Sequence, residues 1–221
     1  MNSTEYMAHF TSWADRIYAQ ARDSWTDTDE QRYAARLMLG TLAAGSRVLD
    51  IGTGRGRDVA VLAGAGHEAV GLDLTPLEEW EKIRADCARA SFEVRGFMDY
   101  RPTSAFDAVL DSGCFHHQHP DDLNPYLEKV RDILVPGGSL WLNVFRRRSE
   151  DCAFTENPIA PWTDGRYIRT YVESTVRALL TGHGFVVVSQ TIIERDDLRA
   201  EIDDMLVHAV RPKQKSAGTP E

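Results

Sequence analysis

The segment Val48-Leu49-Asp50-Ile51-Gly52-Thr53-Gly54-Arg55-Gly56 constrains this chain more than any other. A run of β-formers ends at an acid, and three glycines then alternate ahead of a helix-forming stretch. Glycine admits positive φ and leaves no Cβ to keep a ligand from the main chain. The free N–H groups of the following helix start would face whatever lies across the loop. A second β-like run, Glu68-Ala69-Val70-Gly71-Leu72, ends at Asp73. That is about 20 residues downstream, where a nucleoside-binding βαβ unit sets the acid that holds a ribose.

The glycine spacing departs from the dinucleotide fingerprint. Gly52 and Gly54 fit its first and third positions, but Arg57 stands at the sixth and the third glycine falls at Gly56. The string, together with Asp73, resembles motif I and the acidic loop of class I S-adenosylmethionine-dependent methyltransferases. Asp107 to Asp111, followed by Val135-Pro136-Gly137-Gly138 and an apolar strand, resembles the later motifs of the same family.

The order of elements agrees. Strands are expected at Val48–Ile51, Ala69–Leu72, Phe92–Phe97, Phe106–Leu110, Leu140–Phe145, Phe185–Ile193 and Met205–Val210. Helices are expected at Arg57–Ala63, about Leu77–Ala90, and through Leu123, Leu127, Val130, Ile133 and Leu134, which share one face at a 3.6-residue period. Pro136-Gly137-Gly138 reads as the end of that helix, and Thr170 with Glu173 reads as a capping box opening the next. Residues 3–42 read as two helices broken near Asp27-Thr28-Asp29, the second with Tyr33 and Leu37 inward. Alternating strands and helices predict an α/β sheet with helices on both faces, and the last two strands, lacking a helix between them, should pair antiparallel. The resemblance implies a Rossmann-like, seven-stranded methyltransferase fold, mostly parallel with an antiparallel last strand. It would occupy residues 1–211 as one domain, with 1–42 as a helical lid segment, 146–170 as a substrate-side insert and 212–221 as a disordered tail.

Ligands in such sheets bind outside the carboxyl ends of the strands. The resemblance implies S-adenosylmethionine as cofactor, with Gly52, Thr53, Gly54 and Gly56 beneath its methionine part and Asp73 and Leu74 at the ribose. Asp50 would meet the amino group or hold loop N–H groups. Met98 and Asp99 would meet the adenine, unless Asp99 caps a helix, and Asp111 or Ser112 would lie nearest the sulfonium. Methyl transfer from a sulfonium needs alignment above all, and a base only where the acceptor arrives protonated. The candidates are His116 and His117, which could equally cap the next helix; as sequence neighbours they should diverge in direction. The spacing of His116, His117, His119 and Asp121 matches no zinc pattern, so no metal is expected. Phe10, Trp13, Tyr18 and Trp25 fit either a lid or the buried face of a helix, and Arg146-Arg147-Arg148 either an anion grip or a solvated run.

The formal net charge of −9 argues against a broad nucleic-acid surface, and no apolar run has the length to span a bilayer. Three cysteines without a CxxC spacing (Cys87, Cys114 and Cys152) read as reduced thiols of a cytoplasmic protein. The expected activity is methyl transfer to a small-molecule acceptor. The rival reading is a protein of the same fold that binds the cofactor for a non-methylating reaction or for regulation.

Overall fold

A computed structural model describes residues 1–23, 33–148, 160–161, 166–194 and 202–213. The expected break at Asp27–Asp29, together with Trp25, Cys152, Pro158, Trp162 and the tail beyond 213, lies outside these residues. The elements are α1 (Ser3–Ala19), α2 (Tyr33–Leu39), β1 (Arg47–Ile51), α3 (Arg57–Gly64), β2 (Glu68–Asp73), α4 (Glu79–Asp86), β3 (Ala90–Val94), β4 (Phe106–Ser112), α5 (Leu123–Ile133), β5 (Leu134–Arg147), β6 (Ala160–Pro161), β7 (Tyr167–Ile168), β8 (Thr170–Tyr171), α6 (Glu173–Gly182), β9 (Val186–Ile193) and β10 (Ile202–Val210). The main sheet runs β3-β2-β1-β4-β5-β10-β9, with β8 added beside the end of β5. β3 to β5 are parallel, and β10 is antiparallel to both β5 and β9. The fold is therefore the expected mostly parallel Rossmann-like sheet, reversed at its last strand. No helix among the described residues is long and apolar enough to cross a membrane.

Period-2 alternation splits the strands between two cores. Leu49, Ile51, Val70, Leu72, Val109 and Leu142 pack on one face with Leu127 and Val130 of α5 and Leu180 of α6. Val48, Ala69, Ala108, Leu110 and Trp141 pack on the other with Met38 of α2 and Val59 and Leu62 of α3. The apolar stripe of α5 buries Leu127, Val130 and Ile133 as its period requires. α2 instead turns Ala34, Ala35 and Met38 inward, leaving Tyr33 exposed.

Three local expectations are corrected. The Pro136-Gly137-Gly138 segment does not end a helix but makes a bulge inside β5. The register steps from Phe106↔Leu134 to Ala108↔Ser139, and Gly137 N donates to Arg211 O at 2.8 Å. Thr170 is no cap, because it is fully buried in β8 opposite Phe145 and α6 begins only at Glu173. α4 stops at Asp86, four residues early, because the chain must become extended to lay Ala90 beside Ala69. The capping box that does form is Asn2 with Glu5, at the start of α1.

Gly56, at φ 76°, precedes α3, and a Cβ there would sit 2.6 Å from the Phe92 ring. Gly64 lies in helical backbone with nothing within 4 Å of its would-be Cβ. Gly56→Ala is expected to lower the unfolding free energy by about 2–4 kcal/mol, from strain plus overpacking. Gly64→Ala should raise it by about 0.4–1 kcal/mol. Urea denaturation of the two variants checks both signs.

Candidate active site

The glycine loop leaves β1 at the carboxyl edge of the sheet and is tied down by the end of β2. Thr53 N donates to Leu72 O at 2.8 Å, and Gly54 N donates to Asp73 Oδ2 at 2.8 Å. Asp73 Oδ1 accepts from Thr75 N at 3.2 Å, so one carboxylate joins both loops. Trp80 Nε1 closes the far side on Gly54 O at 2.7 Å. Gly52 is required because a Cβ there would lie 1.9 Å from Cys114 Sγ. Gly56 serves packing against Phe92 and does not line the cavity beside the loop.

That cavity has a volume of about 1080 Å³ and runs from Asp50, Gly52, Thr53 and Gly54, past Asp73, Leu74, Met98 and Asp99, to His116 and His117. Of the residues expected there from sequence, all but Gly56 and Asp111 line it. Asp111 is fully buried behind the wall. Its Oδ1 accepts from Cys114 N at 2.7 Å and Phe115 N at 3.2 Å, and its Oδ2 from the Tyr126 hydroxyl at 2.5 Å. The assignment of Asp111 to the sulfonium is thus corrected to one of holding the loop that follows β4.

The carboxyl groups around the loop are poorly solvated. Burial, then the neighbouring Asp58, raises Asp50 well above the ordinary carboxylate range, with the Thr53 hydroxyl opposing. Asp73 is raised by burial and pulled back by the N–H groups of Gly54, Thr75 and Leu74. Burial pushes Asp111 up to about 6 against the Tyr126 hydroxyl and the N–H groups of Cys114, Phe115 and Gly113. The Cys114 thiol is raised well above its usual value, first by burial and then by Asp111, which keeps it protonated and a poor nucleophile.

Helix α1 walls the cavity with Phe10, Trp13 and Tyr18, all anticipated, and is fixed at several points. The Ser3 hydroxyl donates to Asp122, and the buried Tyr6 hydroxyl donates to His117 O at 2.6 Å. The Thr75 hydroxyl donates to Asp15 at 2.7 Å. Arg55, within the glycine loop, grips buried Asp23 through two bonds of 2.6 and 2.8 Å. Tyr6, Asp15, Asp23 and Asp58 escaped sequence reasoning, for their partners are fixed only by tertiary placement.

The two histidines do not diverge. A 3-10 turn over Phe115–His117 brings their rings edge to face, with Nε2 atoms 3.1 Å apart. His117 Nδ1 lies 2.9 Å from Tyr167 O, a carbonyl that can only accept, so that nitrogen carries the proton. In the neutral pair His117 Nε2 is then the acceptor and His116 Nε2 the donor. His116 also stacks on Phe145 at 4.1 Å. Two of the three arginines in the run are taken up by carboxylates of the protein itself. Arg146 bonds Glu173 at 2.8 Å and Asp203 at 2.9 Å, and Arg148 bonds the same buried Asp203 at 2.6 Å.

Comparison with known proteins agrees with this geometry. The family profile described as a methyltransferase domain matches residues 48–138. An uncharacterized methyltransferase of Schizosaccharomyces pombe is 30% identical over 113 residues, covering 49% of this chain and 77% of the relative. The crystal structure of Burkholderia thailandensis 1,6-didemethyltoxoflavin-N1-methyltransferase, with 1,6-didemethyltoxoflavin and S-adenosylhomocysteine bound, superposes with a TM-score of 0.86. It is 28% identical, over 96% of this chain and 92% of that one. A glycopeptide N-methyltransferase complexed with S-adenosyl-L-methionine, 19% identical, shares the fold with a TM-score of 0.61 over 84% of this chain and 96% of that one. The glycine loop, the acid at the end of β2 and the reversed last strand therefore belong to an enzyme: this chain is a member of the class I S-adenosylmethionine-dependent methyltransferase family.

Proposed function

We propose that this enzyme methylates a small organic acceptor held between the glycine loop and the His116–His117 pair. The observation that carries the reading is the single cavity that begins at the loop, ends at the two imidazoles and is walled by α1. Support comes from the Burkholderia enzyme, whose acceptor is a small molecule and which aligns over nearly the whole chain. The overall charge of −9 favours a small acceptor over a phosphate backbone.

The residues present suit the cofactor. Bound S-adenosylmethionine supplies a methyl group on a sulfonium, and the acids of this cavity suit its positive charge. Asp73 has lone pairs beyond those it gives to Gly54 and Thr75, enough to accept from two ribose hydroxyls. Asp50 behind the loop answers the cationic end, Leu74 packs beside Asp73 at the ribose, and at the adenine end Met98 packs and Asp99 hydrogen-bonds. Helix α1 is the lid that keeps water from the transfer, and Arg166 and Ile168, which also line the cavity, form the substrate-side insert. Where the acceptor is protonated, its proton passes, as the methyl group arrives, to His117 Nε2, which gives up the His116 N–H it holds in the resting pair. The Tyr167 carbonyl fixes the tautomer that leaves the pair able to accept.

Three outcomes test the reading. Asp73→Ala is expected to weaken S-adenosylhomocysteine binding about 10–100-fold by calorimetry, through loss of charge-assisted bonds; unchanged affinity would remove Asp73 from the site. His117→Ala should lower kcat about 10²–10⁴-fold on a protonated acceptor, with cofactor affinity intact. An unaltered kcat would leave the pair a structural role.

The third concerns pH. Burial raises Asp50, so in the free enzyme it keeps a proton at a pH where an ordinary carboxyl has lost it. A cationic ligand favours the carboxylate, so binding should release a proton and tighten as pH rises, until Asp50 is ionised in the free enzyme too. Calorimetry of S-adenosylmethionine in buffers of different ionisation enthalpy reads the proton, and Asp50→Asn should abolish its release.

A further inference from the structure

Beside the histidines the cavity is bounded by the carboxyl half of β5 and the amino half of antiparallel β10. Asn143, in β5, lines it and is only 7% exposed, and its Oδ1 is buried without a hydrogen-bond partner. A buried amide oxygen left unsatisfied costs about 1–3 kcal/mol, so an arrangement that keeps it implies a donor brought in by a ligand. Asn143 and Phe145 alternate with Leu142 and Val144, which belong to the opposite core. In the register, Asp204 lies opposite Phe145, so the same face that shows Asn143 to the cavity also shows a buried carboxylate. The remaining walls are flat rings: Phe10, Trp13 and Phe145 line the chamber beside His117, with Phe10 and His117 centroids 5.7 Å apart.

We infer that Asn143 reads the methyl acceptor, and that the acceptor is a planar nitrogen heterocycle presenting adjacent N–H and C=O groups to its carboxamide. A carboxamide offers an acceptor and a donor side by side, which matches a lactam or imide edge with two hydrogen bonds. Flat aromatic walls suit a ring system better than a chain. A phenol or a simple amine cannot satisfy both atoms of the amide. The buried carboxylate of Asp204 favours a donor-rich, neutral ring over an anion. This assignment rests on the methyl-transfer reading above and names the substrate class of that same site.

The test titrates the enzyme, saturated with S-adenosylhomocysteine, against three ring probes followed by fluorescence: lumazine, 1,3-dimethyllumazine and 2-naphthol. The wild type is expected to bind lumazine at least about tenfold tighter than the other two. Asn143→Leu should erase that preference, and Asn143→Asp, which keeps an acceptor oxygen but loses the donor that meets the ring carbonyl, should weaken it. Affinity for S-adenosylhomocysteine should stay within about threefold in both variants, because Asn143 is not among the cofactor residues. Equal binding of lumazine and its dimethyl derivative, no binding of any ring, or a preference that survives Asn143→Leu would each overturn the inference and leave methyl transfer standing. Failure of the wild type to bind S-adenosylhomocysteine at all would instead overturn the methyl-transfer reading beneath it.

Discussion

The site depends on one carboxylate. Asp73 ends β2, yet its oxygens reach back to the amide of Gly54 in the neighbouring loop and forward to that of Thr75. Parallel pairing of β1 with β2 brings Asp50 opposite Gly71 and Ile51 opposite Leu72. The two loops therefore emerge side by side, with unpaired N–H groups that water or a side chain must satisfy. A carboxylate there satisfies one amide from each loop with charge-assisted bonds of about 1.5–3 kcal/mol apiece. It sets the glycine loop in position before any ligand arrives, and its remaining lone pairs face the cavity. The acid proposed to grip the ribose thus also shapes the cavity beside it.

Electrostatics at the site run against stability and toward function. Asp50, Asp58 and Asp73 crowd a poorly solvated region, where Asp58, Asp111 and Asp73 strengthen the hold of Asp50 on its proton and Asp15 that of Asp73. Such crowding costs free energy in the empty enzyme. It suits a ligand that brings a sulfonium and an ammonium into the same space. Asp111 shows the complementary solution: a carboxylate equally buried but fully engaged by Tyr126 and two loop amides holds the turn that presents His116 and His117. Helix α1 is tied to that same turn through Tyr6, so turn, histidine pair and helix form one connected unit.

Much of this was legible in the chain. Alternating apolar residues gave the strands, and glycines with an acid at each strand end marked the edge on which the cavity opens. What escaped was facing and partnership. Asp111 and Ser112 both stand at the carboxyl end of β4, but Ser112 lines the cavity while Asp111 shares the α5 face with Val109. One sequence does not say which face a ligand occupies. Gly56 looked like part of the ligand cradle, yet its constraint is the ring of Phe92, distant in sequence. The arginine run read as an open charge cluster because its anchor, Asp203, lies on a strand that pairs with it only in the folded sheet. The 3-10 turn that converges His116 and His117 has no periodic signature at all.

The most direct test of the whole account is a crystal structure of this enzyme with S-adenosylhomocysteine. The account predicts the ribose hydroxyls within hydrogen-bond reach of Asp73 while the Gly54 amide keeps its bond to the same carboxylate, and the sulfur turned toward the histidine pair. A nucleoside bound away from the glycine loop, or an Asp73 that must abandon Gly54 to admit it, would contradict it.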